Sequence, residues 1–120
     1  MDQSNVVLRY RDGRTERASE VDIDAERQFV VVAKGETSQN EVPFSLLKGV
    51  FFPRRGPDET HQPANGSTIA VEFADGEVIR GVANYNPERN GFFLYPHDRS
   101  KNDRVYVVNS AIVSIEVEKL

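Results

Sequence analysis

Cysteine is absent from this 120-residue chain, which removes disulfides, thiolate nucleophiles and cysteine-ligated zinc from consideration. No apolar run approaches the roughly 20 residues of a membrane-spanning helix. Positive charge is not in excess either, because the net charge is −4. Residues 1–52 hold seven Lys/Arg against nine Asp/Glu, and residues 68–120 hold six against eight. Neutralising a nucleic-acid backbone needs a positive face, so the acidic balance of both halves disfavours RNA as a partner without excluding a local basic patch. Glycine-rich phosphate loops are missing as well: Gly13 and Gly76 follow aspartate in turn dipeptides, and Gly91 stands alone. The start, Met1-Asp2-Gln3-Ser4-Asn5, is polar and lacks the basic residues that open a secretory leader, so a cytoplasmic location is expected.

What the chain does have is valine, isoleucine and phenylalanine gathered in short blocks, the composition of strands. An internal repeat organises them. Val7-Leu8-Arg9-Tyr10-Arg11-Asp12-Gly13-Arg14 is echoed by Ala70-Val71-Glu72-Phe73-Ala74-Asp75-Gly76-Glu77. Adding 63 carries Tyr10 to Phe73, Asp12 to Asp75, Gly13 to Gly76 and Phe29 to Phe92. Towards the end of each copy the offset becomes 65, setting Ser45-Leu46-Leu47-Lys48-Gly49-Val50 against Ser110-Ala111-Ile112-Val113-Ser114-Ile115. The drift of two places a small insertion in the 96–103 segment.

Each copy reads as five strands. In the first these are Val6–Tyr10, Arg14–Ile23, Phe29–Val32, Glu41–Phe44 and Gly49–Phe52. In the second they are Thr68–Phe73, Val78–Tyr85, Phe92–Tyr95, Arg104–Val108 and Val113–Val117. Asp12-Gly13 and Asp75-Gly76 are hairpin signals, since glycine accepts a positive φ. A single 3₁₀-like turn is expected at Ser45–Lys48 and at Asn109–Ile112. The segment 53–67, with prolines at 53, 57 and 63, carries no apolar periodicity and reads as a linker. The expected organisation is a first small barrel over 1–52, a linker over 53–67 and a second small barrel over 68–120. Each unit lies near the lower size limit for independent folding, so an interface between them, or a homo-oligomer, is expected. The Phe51-Phe52-Pro53 exit from the first copy is the expected contact between units.

This order of strands resembles the Sm-like and SH3-like small barrels. The Sm-like pattern is carried by Val71-x-Phe73, Asp75-Gly76, Val78, Arg80-Gly81-Val82, Phe92-Phe93-Leu94, Arg104-Val105-Tyr106-Val107 and Ala111-Ile112-Val113-Ser114-Ile115. The first copy follows it less closely, with Ala18 in the place of Gly81. The second copy, through Gly91-Phe92-Phe93-Leu94-Tyr95-Pro96-His97-Asp98, Asn102 and Arg104-Val105-Tyr106-Val107, is also similar to an uncharacterised bacterial family with tandem units of this kind. That resemblance implies an all-β protein of two tandem five-stranded barrels with a regulatory or signalling flavour, and no known activity. The Sm resemblance implies RNA binding. Its RNA-contacting motifs are replaced here by Asn84-Tyr85-Asn86-Pro87 and Val108-Asn109-Ser110, so the base-clamping side chains are mostly missing.

No catalytic or metal site is expected, and no cofactor. His61 and His97 have no partner at ligand spacing. Asp22 with Asp24, and Glu116 with Glu118, share a strand face at i, i+2 and read as solvated edges. The Arg54-Arg55 doublet could meet the phosphates of a cyclic dinucleotide or another small signal, although the partner motif of such receptors is absent. The surface candidate is Asn84–Asn90 with Arg99, Lys101 and Arg104, where Tyr85, Asn86, Arg89 and Arg104 supply the stacking and pairing groups of a ligand or nucleic-acid site. The expected function is therefore a non-enzymatic interaction module that meets a protein, or a second copy of itself, through strand edges. Sm-like RNA binding and small-signal binding stand as alternatives.

Overall fold

The computed structural model describes residues 6–33, 39–53, 66–86, 88–97 and 102–118. Eleven strands run through them: β1 (Val6–Tyr10), β2 (Thr15–Ala18), β3 (Glu20–Asp24), β4 (Phe29–Ala33), β5 (Gln39–Pro43) and β6 (Leu47–Pro53) in the first half. The second half has β7 (Ser67–Phe73), β8 (Val78–Ala83), β9 (Gly91–Pro96), β10 (Asn102–Val108) and β11 (Ile112–Val117). Single 3₁₀ turns, η1 (Phe44–Leu46) and η2 (Asn109–Ala111), precede β6 and β11; the first begins one residue and ends two residues before the expected bounds, and the second begins where expected and ends one residue earlier. The chain is all-β, and no helix among the described residues is long and apolar enough to cross a membrane.

The two Asp-Gly corners are equivalent. Gly13 and Gly76 have φ of 98° and 92°, the left-handed region that glycine enters without a Cβ penalty. The Gly13 and Gly76 N–H groups donate to the Tyr10 and Phe73 carbonyls at 3.1 and 2.9 Å. Asp12 Oδ1 accepts from the Arg14 N–H at 2.9 Å, and Asp75 Oδ1 from the Glu77 N–H at 3.0 Å, so each aspartate closes its own turn.

The strands do not form the two separate closed barrels that the sequence suggested. They lie in an eight-stranded sheet of order β11-β7-β8-β9-β10-β6-β1-β2 and a three-stranded sheet of order β3-β4-β5. Two features cause this. The long second strand of the first half breaks at Ser19, whose N–H and Oγ both donate to the Ala33 carbonyl. That break leaves β2 on β1 and carries β3 to β4. In addition, β6 of the first half pairs with β10 of the second, from Asn102↔Pro53 to Val107↔Gly49, which fuses strands of both halves into one sheet.

The halves nevertheless repeat each other in detail. The β1–β6 and β7–β11 ladders both carry an irregularity that passes over one residue, Lys48 in the first and Val113 in the second. Phe29↔Pro43 and Val30↔Val42 correspond to Gly91↔Val108 and Phe92↔Val107. The structural counterpart of Phe92 is therefore Val30 rather than Phe29, an offset of 62 that sequence letters alone obscured. One core serves both halves, including Leu8, Val30, Phe44, Leu47 and Val50 from the first with Ile69, Val71, Leu94, Val105 and Val107 from the second.

Cross-half polar contacts lock the arrangement. Lys48, a buried cation, donates from Nζ to Asp75 Oδ2 at 2.8 Å and to Glu77 Oε1, and lies 4.8 Å from the Phe73 ring centre. Arg11 donates to the carbonyls of Leu47 and Phe44 at 2.9 and 3.0 Å and to Ser110 Oγ at 2.5 Å, tying the first hairpin to both 3₁₀ turns.

Candidate functional site

The loop between β8 and β9 is shaped by its asparagines. Asn86 Oδ1 accepts from the Glu88 N–H at 2.9 Å and the Asn86 carbonyl from the Arg89 N–H at 3.1 Å, a local turn made by a short amide side chain. Asn109, on η2, holds this turn from beneath. Its Nδ2 donates to the Asn86 and Arg89 carbonyls at 3.2 and 2.5 Å, and its N–H donates to the Asn90 carbonyl at 2.9 Å. Asn90 Nδ2 then donates to the Ala25 carbonyl at 2.6 Å, fastening the loop to the turn after β3 in the other half.

Beside this loop a cleft of about 1230 Å³ opens between the halves. Its walls include Val21, Ile23 and Glu26 from the first half, Phe52 at the end of β6, and Tyr85, Asn86, Arg89, Phe93, Arg104 and Tyr106 from the second. All four residues singled out in the sequence, Tyr85, Asn86, Arg89 and Arg104, thus line one cavity. Their roles within it differ. Tyr85 packs edge-on against Phe92 with ring centres 5.3 Å apart, which fixes its ring at the wall. Asn86 spends its side-chain carbonyl on the turn. Arg89 is exposed, and its charge acts on Tyr106: burial pushes the Tyr106 phenol above its ordinary value, while Arg89 pulls it back.

Arg104 is the most constrained. Opposite Phe52 in the β6–β10 ladder, it places its guanidinium 4.6 Å from the Phe52 ring centre and 5.2 Å from that of Phe93. This stack between two rings is favourable for a planar cation. Its Nε is buried with no hydrogen-bond partner among the described residues. Phe93 is itself partly exposed and meets Tyr106 edge-on at 5.1 Å and Phe52 at 6.1 Å. Among the described residues, two arginines and one carboxylate, Glu26, line the cleft, so their balance is more positive than that of the acidic chain.

Sequence reasoning missed the first-half wall (Val21, Ile23, Glu26) and the supporting role of Asn109. The wall is not legible in a linear reading, because it depends on a pairing between strands of different halves. The Arg54-Arg55 doublet, His61, Asp98, Arg99 and Lys101 lie outside the described residues. His97 is exposed, and its N–H donates to the Arg80 carbonyl at 2.9 Å. Among the described residues no three His, Asp or Glu side chains are grouped closely enough to hold a metal ion.

Comparison with known proteins places residues 2–119 on the model of one family, described as a family of unknown function (DUF6982). No curated protein and no solved structure matches the chain.

Proposed function

The chain belongs to DUF6982, a family of unknown function, and we propose from its geometry that it is a non-enzymatic interaction module whose cleft between the halves receives a segment of a partner protein. The observation that carries this reading is the cleft lining. Aromatic rings from both halves (Phe52, Tyr85, Phe93) line the cleft together with two arginines, on a chain whose net charge is −4. Tyrosine, phenylalanine and arginine in one concave site are the groups that dominate protein–protein contacts. The chemistry fits an extended segment with an apolar or aromatic side chain beside a carboxylate. The order of strands supports an underlying small-barrel plan of Sm-like type. In each half the last strand returns to the first, β6 on β1 and β11 on β7, after a single 3₁₀ turn. On this reading, two such units have been opened and fused through β6 and β10.

The test is selection of displayed peptides against the full chain, followed by titration of the enriched peptides by fluorescence anisotropy. Uridine- and adenine-rich RNA at low salt and a cyclic dinucleotide serve as competing probes. Acidic–aromatic peptides are expected to bind, with affinity reduced roughly tenfold by Tyr85→Ala or Arg89→Gln, the size of one moderate contact. Preferential, salt-dependent RNA binding lost on Arg104→Gln would replace this reading with RNA recognition. Dinucleotide binding in the absence of peptide binding would replace it with small-signal recognition.

A further inference from the structure

The junction inside the chain is a template for a contact outside it. Within the chain, β6 of the first half pairs antiparallel with β10 of the second. The repeat assigns each of these strands a counterpart. β11 corresponds to β6, since Leu47, Gly49 and Val50 occupy the ladder positions of Ile112, Ser114 and Ile115 around the same irregularity. β5 corresponds to β10, since Val42 faces Val30 as Val107 faces Phe92. Yet β11 ends the eight-stranded sheet and β5 ends the three-stranded one. Among the described residues, β11 pairs with β7 alone and β5 with β4 alone. One side of the molecule therefore presents the repeat's copy of the β6 edge, and another presents its copy of the β10 edge.

We propose that β11 of one chain pairs antiparallel with β5 of a second copy, in the register of the internal junction. Transferring that register sets Ser114 opposite Val42, Ile115 opposite Glu41, Glu116 opposite Asn40 and Val117 opposite Gln39. No two like charges face each other directly, and Glu116 meets an amide. The β11 edge also carries Val113 and Val117, 64% and 48% exposed, among the most exposed apolar side chains described. Unpaired strand edges with apolar side chains are templates for strand addition. The contact joins two different surfaces head to tail, so it propagates until the rotation between copies closes a ring or extends a filament.

The outer contact is weaker than the inner one for a specific reason. At the inner junction Lys48 reaches Asp75 and Glu77. At the outer one Val113 replaces Lys48, and the matching acid, Asp12, is already paired with Arg14 at 2.7 Å. Association is accordingly reversible and concentration-dependent.

The absence of native cysteine gives a direct test. Asn40 and Glu116 are both exposed and face each other in the proposed register. An equimolar mixture of Asn40→Cys and Glu116→Cys chains under mild oxidation is expected to form the mixed disulfide at least about tenfold faster than Arg80→Cys with Glu116→Cys, because docking raises the effective concentration of the thiols. Sedimentation velocity provides the second readout. The double variant Val113→Lys/Arg14→Glu rebuilds the lysine–diacid arrangement at the outer contact and is expected to tighten association roughly tenfold. Val117→Asp is expected to weaken association while leaving the circular-dichroism spectrum unchanged. Equal cross-linking rates for the two cysteine pairs would overturn the proposal. So would a chain that sediments as a monomer at every concentration in both wild-type and Val113→Lys/Arg14→Glu forms, or an oligomer indifferent to Val117→Asp.

Discussion

Lys48 is the buried charged residue among the described residues, and its partners allow an asymmetric prediction. The Lys48 side chain is 6% exposed, whereas Asp75 and Glu77 are 53% and 40% exposed. Removing the lysine charge and removing the carboxylates are therefore not equivalent. In Lys48→Met the unbranched stem still covers Phe73, and two carboxylates are released that already touch water. The expected cost is about 1 kcal/mol or less, in the range of an accessible ion pair. In Asp75→Asn/Glu77→Gln an ammonium remains buried against an aromatic ring with no anion beside it. Breaking a buried pair from that side costs about 3–5 kcal/mol, and we take about 3 because the carboxylates were partly solvated before removal.

Urea unfolding followed by far-ultraviolet circular dichroism measures both. With a slope of about 1.5 kcal/mol per molar for a chain of this size, the double carboxylate variant loses about 2 M of its midpoint, and Lys48→Met well under 1 M. Adding Lys48→Met to the double variant should recover most of the loss, since the stranded charge is then gone. The reasoning is refuted if Lys48→Met is as damaging as Asp75→Asn/Glu77→Gln, or if the triple variant recovers nothing. The pH dependence follows in sign. The Lys48 hydrogen bond, with help from the Glu77 N–H, holds the Asp75 carboxyl below its ordinary value of 3.8. The native state then resists a proton that the unfolded chain accepts. This contribution is complete above about pH 4 and is lost as pH falls through the native value. Asp75→Asn should flatten the acid limb of the stability profile relative to wild type.

Two further substitutions probe the junction and the cleft. A Cβ on Gly49 would come within 2.8 Å of the Tyr106 carbonyl oxygen on the paired strand, so Gly49→Ala should force β6 and β10 apart and cost about 1–3 kcal/mol, read by the same urea titration. Asn109→Ala removes the donors to Asn86 and Arg89 and should raise amide exchange through residues 88–90 with a loss of about 1 kcal/mol. Asn109→Asp should cost more than Asn109→Ala, because it points a carboxylate at two carbonyls; equal effects would show that the amide does not hold the loop.

The elements that a linear reading recovers are those whose causes are local. Val6–Tyr10 is predicted to the residue because its alternation ends at an Asp-Gly turn, and both 3₁₀ turns lie within one or two residues of their expected bounds. The break at Ser19 was missed because nothing in Arg17-Ala18-Ser19-Glu20 forbids an extended backbone; the bend depends on a bond to Ala33, fourteen residues away. The fusion through β6 and β10 depends on contacts about fifty residues apart, which no local pattern encodes. The burial of Lys48 has no local signal either, because its anions, Asp75 and Glu77, belong to the other hairpin. In the candidate site, Tyr85, Asn86, Arg89 and Arg104 were legible as an aromatic, an amide and two basic groups in or beside expected loops. The distinction between Asn86 as turn former and Arg104 as a stacked cation required the geometry.

The way the two copies have diverged follows the same division between local and long-range causes. Where a half closes its own turn, the residues agree: Asp12 with Asp75 and Gly13 with Gly76, although Asp75 also receives Lys48 from the other half. The same backbone bond also recurs, from the Phe44 N–H to the Gln28 carbonyl in one copy and from the Asn109 N–H to the Asn90 carbonyl in the other. Where the halves serve each other, the counterparts differ in chemistry. Lys48 becomes Val113, and Arg11, which crosses to Ser110, becomes Ala74. The counterpart of core-filling Phe44 is Asn109, which anchors the cleft loop of its own half. At Lys48 and Arg11, departure from the repeat thus marks a surface at which one half meets the other. Val113 belongs to this set: the β11 edge carries no counterpart of the charged anchor at the inner junction, so apolar contact and strand pairing are what would hold a second copy there.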